Sequence, residues 1–148
     1  MKANLSRNLV ATTALLAGLT GTPSALAQPL FETLGTGAGA TDRYTVTCGA
    51  GTFRLSGTVT DLVPATPSLV SMQFSKGSGA TNTTDFSDGP LANPAPSAVA
   101  NTIGGGPGDY TVLVDKAGGG AENYMMDVEC KDINYAPLPT TVLLTQDL

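Results

Sequence analysis

Apolar side chains recur at every second position in five short stretches of this chain, and that rhythm limits what it can fold into. Tyr44, Val46 and Cys48 share one phase, with Thr45 and Thr47 on the other. Phe53, Leu55 and Val59 share a phase opposite Arg54, Ser56, Thr58 and Thr60. Val70, Met72 and Phe74 repeat the pattern, as do Tyr110, Val112 and Val114. The last stretch sets Tyr124, Met126, Val128 and Cys130 against Met125, Asp127, Glu129 and Lys131. A period of two puts alternate side chains on opposite faces of a strand, so each stretch can bury one face. After the first 27 residues no segment sustains the 3.6-residue pattern of an amphipathic helix. Most of the 18 glycines and 10 prolines fall outside the alternating runs, among them Gly49-Ala50-Gly51, Pro64 and Pro67, those from Ser87 to Pro96 and those from Gly104 to Gly108. Short strands separated by such turns predict an all-β fold. The expected form is one antiparallel β-sandwich domain, jelly-roll-like or Ig-like.

The two cysteines, Cys48 and Cys130, each sit in the apolar phase of their strand. If both phases face one core, both sulfurs point inward and can meet, so a Cys48–Cys130 disulfide is expected. A disulfide needs an oxidising compartment, and the N-terminus agrees. Lys2 and Arg7 precede the uncharged apolar run Leu9 to Leu19, and Ala25-Leu26-Ala27 follows as an A-x-A cleavage pattern. That order is the layout of a secretory signal peptide, with cleavage expected after Ala27. The expected organisation is a signal peptide at 1–27, a flexible lead-in at 28–42, the sandwich at 43–133 and a tail or edge strand at 134–148. The localisation implied is periplasmic or secreted. All 12 acidic residues but only 5 of the 7 basic ones follow Ala27, which leaves −7 on that part. A negative field of this size repels nucleic acid and anionic membrane, and no basic cluster offsets it locally.

Two glycine runs invite a nucleotide-binding reading and do not support it. "DKAGGGAEN", Asp115 to Asn123, has its lysine before the glycines and a strand pattern after them. A phosphate loop needs the lysine after the glycines and a helix N-terminus to hold the phosphate. "GTGAGA", Gly35 to Ala40, fits the loose dinucleotide spacing but lies between no strand and no helix. Ala117 to Asn123 reads instead as a hairpin connection joining the Tyr110 and Tyr124 strands. The stretch "GDYTVLVDKAGGGAENYMMDVEC" resembles the closing hairpin of bacterial pre-peptidase C-terminal domains. Gly108, Tyr110, Val112, Val114, Gly119 and Tyr124 carry the likeness, and "GTFRLSGTVTDL" is similar to an earlier strand of that family. The resemblance spans roughly Tyr44 to Cys130. It implies a jelly-roll-like sandwich of the kind attached to secreted enzymes, some of which bind calcium or an extracellular polymer.

Histidine is absent. Ser-His-Asp and Cys-His nucleophilic mechanisms and imidazole zinc sites are therefore excluded. Carboxylate pairs could still serve a glycosidase-type hydrolase, with Asp109, Asp115 and Glu122 as candidates. "TNTTDFSDG", Thr81 to Gly89, offers Asn82, Asp85 and Asp88 as hard oxygen donors, a candidate calcium ligand set. The same residues read equally as an Asx-rich turn, and Asn82-Thr83-Thr84 is also a glycosylation sequon. "LPTTV", Leu138 to Val142, lacks the final glycine of an L-P-x-T-G sorting signal. The sequence thus points to a non-catalytic exported binding or accessory module. Its expected partner is an extracellular polysaccharide or protein, with calcium as the one candidate cofactor. A second expectation is a structural subunit in which the lead-in or "TVLLT", Thr141 to Thr145, adds a strand to a neighbour's sheet.

Overall fold

The computed structural model describes residues 28–63, 69–84, 98–102 and 105–148. The expected signal peptide lies outside the described residues. No described helix is long and apolar enough to cross a membrane.

The described residues are all-β. In chain order the strands are β1 (Leu30–Leu34), β2 (Thr41–Cys48), β3 (Arg54–Asp61), β4 (Val70–Lys76) and β5 (Gly79–Thr84). They continue with β6 (Ala100–Asn101), β7 (Gly108–Lys116), β8 (Glu122–Lys131), β9 (Pro137–Leu138) and β10 (Thr140–Asp147). One antiparallel sheet runs β1-β8-β3-β6, with β9 beside the far end of β8. The other runs β10-β2-β7-β4-β5. The two sheets enclose one core, the antiparallel sandwich that the alternation predicts.

Four of the five alternating stretches bury only the phase read from the sequence; in the fifth, Leu55 and Val59 are buried as expected, but Phe53 stays outside the core and Ser56 and Thr60 of the opposite phase are buried too. Tyr44, Val46 and Cys48 point into the core from β2, and Val70, Met72 and Phe74 do so from β4. Tyr110, Val112 and Val114 of β7 in one sheet and Tyr124, Met126 and Val128 of β8 in the other are buried in the same core. The Cys48–Cys130 disulfide ties β2 of one sheet to β8 of the other, with 5.6 Å between the Cα atoms. Beyond it the chain turns at Asp132, whose carboxylate accepts hydrogen bonds from the backbone N–H groups of Asn134 and Ala136, both at 2.8 Å. Tyr135 in that turn lies under the Arg54 guanidinium, 3.9 Å from the ring centroid.

The glycine run after β7 does not make the expected hairpin. β7 pairs with β2 and β4, whereas β8 pairs with β1 and β3 in the opposite sheet. Residues 117–121 form an arch from one sheet to the other. Gly120 has φ +105° there, and its N–H donates to the Thr36 carbonyl at 3.1 Å. The physical reason for the difference is simple. Two strands that bury one face on a common core show the same alternation whether they lie edge to edge or face to face. The hairpin occurs instead between β4 and β5, where Lys76 opposes Gly79 across Gly77-Ser78.

Two terminal segments are paired. β1 lies within the segment expected as a lead-in and borders β8. The "TVLLT" stretch belongs to β10, which borders β2 at the edge of its sheet. Pro139 separates β10 from β9, and the chain changes sheets between them.

Candidate binding groove and the buried tyrosines beneath it

The candidate site lies where β1, β8 and the end of β3 run side by side. Phe31 and Thr33 occupy one phase of β1, opposite Met125 and Asn123 of β8. Leu62 and Val63 continue past β3 on the other side of β8, held by a 2.8 Å bond from the Leu62 N–H to the Asn123 carbonyl. Phe31, Glu32 and Thr33 of β1, Leu62 and Val63, and Asn123 and Tyr124 of β8 line a groove of about 460 Å³. Phe31 is 65% exposed and Val63 55%. Asn123 bridges the two walls. Its amide oxygen accepts from the Thr33 hydroxyl at 2.6 Å, and its NH₂ donates to the Val63 carbonyl at 2.5 Å. An aromatic face beside fixed amide and hydroxyl groups suits a ligand with alternating apolar and polar surfaces.

Beneath this groove Tyr124 turns inward. Its hydroxyl donates to Asp42 Oδ2 at 2.6 Å and also bonds to the Tyr44 hydroxyl. The network links β8 of one sheet to β2 of the other, and Asp42 is only 2% exposed. Desolvation pushes the Asp42 carboxyl above its ordinary value, the Tyr124 hydrogen bond pulls it down, and the nearby charges of Asp147 and Glu32 push it up further. Desolvation also raises Tyr44 to about 12 and raises Tyr124. A neutral tyrosine pair around a buried carboxyl makes a cross-sheet strut. Its three residues are each 2% exposed or less.

Asp42 is one of four charged side chains buried at this end of the sandwich. Asp61 ends β3, Lys116 ends β7 and Glu122 begins β8, each 5% exposed or less. All sit in the inward phase of their strands, so the apolar stripes Tyr44-Val46-Cys48, Val112-Val114 and Tyr124-Met126 finish in charge. That signal is present in the sequence: a charged residue continues the apolar phase by one more step of two. Asp42, Asp61 and Lys116 carry this signal, whereas Phe31 carries none because "LFETL" alternates weakly.

The candidate carboxylates for hydrolysis are not brought together. Asp109 and Asp115 project from the outer face of β7, where the Thr47 hydroxyl donates to Asp109 at 2.7 Å and the Ser71 hydroxyl donates to Asp115. Six residues of strand separate them, about 20 Å. Glu122 lies in the other sheet and faces inward, fully buried. Of the candidate calcium ligands, Asn82 lies in β5 opposite Gln73. Asp85 and Asp88 lie outside the described residues. Among the described residues no three His, Cys, Asp or Glu side chains gather around a point where a metal ion could sit. Compared with protein-family models, with curated proteins and with solved structures, the chain has no match in any of the three.

Proposed function

We propose that this chain is an exported, non-catalytic binding module whose groove at Phe31, Thr33, Asn123 and Val63 contacts an extracellular or cell-envelope polymer. The observation that carries the reading is the exposed Phe31 ring beside an asparagine and a threonine held rigid by their mutual hydrogen bond. Sugar rings present a C–H face for stacking and hydroxyls for hydrogen bonds, so a polysaccharide matches such a wall. The acidic chain disfavours polyanions and favours a neutral polymer. The resemblance to pre-peptidase C-terminal domains supports the same reading, and so does a disulfide that closes the sandwich. Calcium at Asn82, Asp85 and Asp88 is part of the proposal as a stabilising ion.

The test is co-sedimentation of the oxidised protein with insoluble neutral polysaccharides, alongside a set of exported proteins. Retention on a polysaccharide that falls at least tenfold in Phe31→Ala, with the melting temperature unchanged, is the expected result. Retention only on protein ligands would replace the polymer, and retention unaffected by Phe31→Ala would remove the groove. Calcium is tested by melting in EDTA against millimolar calcium. A rise of several degrees, lost in Asp85→Asn or Asp88→Asn, is expected from linkage. Identical curves would remove the ion from the proposal.

A further inference from the structure

We infer that β10 is a self-association edge, through which two copies of this chain join their sheets by antiparallel β10–β10 pairing. This is separate from the groove, which lies on the other sheet.

Free strand edges present unpaired N–H and C=O groups and are normally blunted by charge, proline, bulges or brevity. Among the described residues the outer edge of β10 is unpaired. Its eight residues make it the longest of the edge strands; β6 and β9 have two residues each, β1 has five and β5 has six. No charged residue occurs from Ala136 to Gln146 in a chain with 12 acidic side chains. Like-charge repulsion opposes self-association over most of this surface and is absent here. Leu143 is 62% exposed and Leu144 37%.

The occupant follows from self-complementarity. Pro139 limits the run at one end, and a bulge between Leu144 and Gln146 limits it at the other. The regular part is Thr140 to Leu144, pairing with Cys48 to Tyr44 on its inner edge. A two-fold axis perpendicular to the sheet requires residues of the same face to oppose each other. Centring on Val142 satisfies this. Val142 opposes its own copy and Thr140 opposes Leu144 on the core side, while Thr141 opposes Leu143 on the outer side. Each partly exposed leucine then gains a neighbour, and β-branched residues fill the other positions. Two five-stranded sheets become one of ten strands. The interface is small, so the dimer belongs to the weak class and depends on concentration.

Sedimentation equilibrium of the oxidised chain over about 10–200 µM tests the inference. The expected result is a monomer–dimer equilibrium. Thr141→Lys/Leu143→Lys sets lysine opposite lysine at both outer positions and should leave a monomer with an unchanged melting temperature. Thr141→Lys/Leu143→Asp sets lysine opposite aspartate and should restore the dimer. Phe31→Ala should not affect it. A monomeric wild type, a dimer that survives the lysine pair, or a lysine–aspartate variant that stays monomeric would each overturn the inference.

Discussion

Tyr124 shows how much a single hydroxyl can hold in this core. It satisfies a buried carboxyl and a second buried phenol at once. Tyr124→Phe leaves Asp42 buried beside a hydrocarbon ring, an uncompensated polar group that costs about 1–3 kcal/mol. Chemical denaturation should show a lower midpoint with an unchanged slope. Asp42 itself should impose a pH dependence. Its folded carboxyl binds a proton more tightly than the unfolded value of 3.8 allows, mainly because burial penalises the charge. Between the two values the folded state holds more protons, so stability is fully present at low pH and declines as pH rises through the folded value. Melting curves from about pH 3 to pH 7 should show this decline in the wild type and a shallower one in Asp42→Asn. Equal slopes in the two proteins would show that Asp42 does not titrate in this way. The sequence carried half of this network openly. Tyr44 and Tyr124 are legible as core residues from their phase, but that their hydroxyls meet is a property of two strands placed in opposite sheets.

At the scale of elements, Gly57 is where β3 comes closest to its neighbours. A Cβ there would lie 2.5 Å from the Asp127 carbonyl oxygen and 2.8 Å from both Phe74 and Val128. Gly57 pairs with Val128 on β8, while Phe74 belongs to β4 of the other sheet. Bare backbone at this point lets the Phe74 ring fill the space between the sheets. Gly57→Ala must push backbone or ring aside, an overpacking cost of about 1–3 kcal/mol. Thermal melting should register it as a drop of several degrees, while Gly79→Ala, on the open β4–β5 turn, should change little. The alternation in "TFRLSGTVT" marks β3 plainly but gives no reason for its central glycine. Only the facing strand supplies that reason. The arch after β7 teaches the same point, because a glycine run and two matched phases suit a hairpin and an arch alike.

For the whole molecule, the Cys48–Cys130 bond is the covalent link between the two sheets. It joins residues 82 apart and ties the two sheets together at one end. Closing a loop of that length removes about 4–5 kcal/mol of unfolded-chain freedom in the chain-entropy model. Native domains are stable by only about 5–15 kcal/mol, so the bond is a large share of what keeps this sandwich folded. Cys48→Ser/Cys130→Ser should unfold at a markedly lower denaturant concentration than the oxidised wild type. Reduction of the wild type should reproduce the loss, and coincident curves would mean that the core alone holds the sheets. The opposite end of the sandwich has no covalent tie and is closed instead by the tyrosine strut and the buried charges around it.

The sequence alone determined the strand class, the inward phase of four of the five alternating stretches and the pairing of the cysteines. It could do so because side-chain alternation is a local property and records which face of a strand meets the core. It did not determine which strand lies beside which, where Asn82 falls, or that β1 and β10 complete the two sheets. Those depend on contacts between residues far apart in the chain, and the same local pattern serves several of them equally well. The groove is of that kind: Phe31, Asn123 and Val63 come from three separate segments, and only the folded sheet makes them one surface.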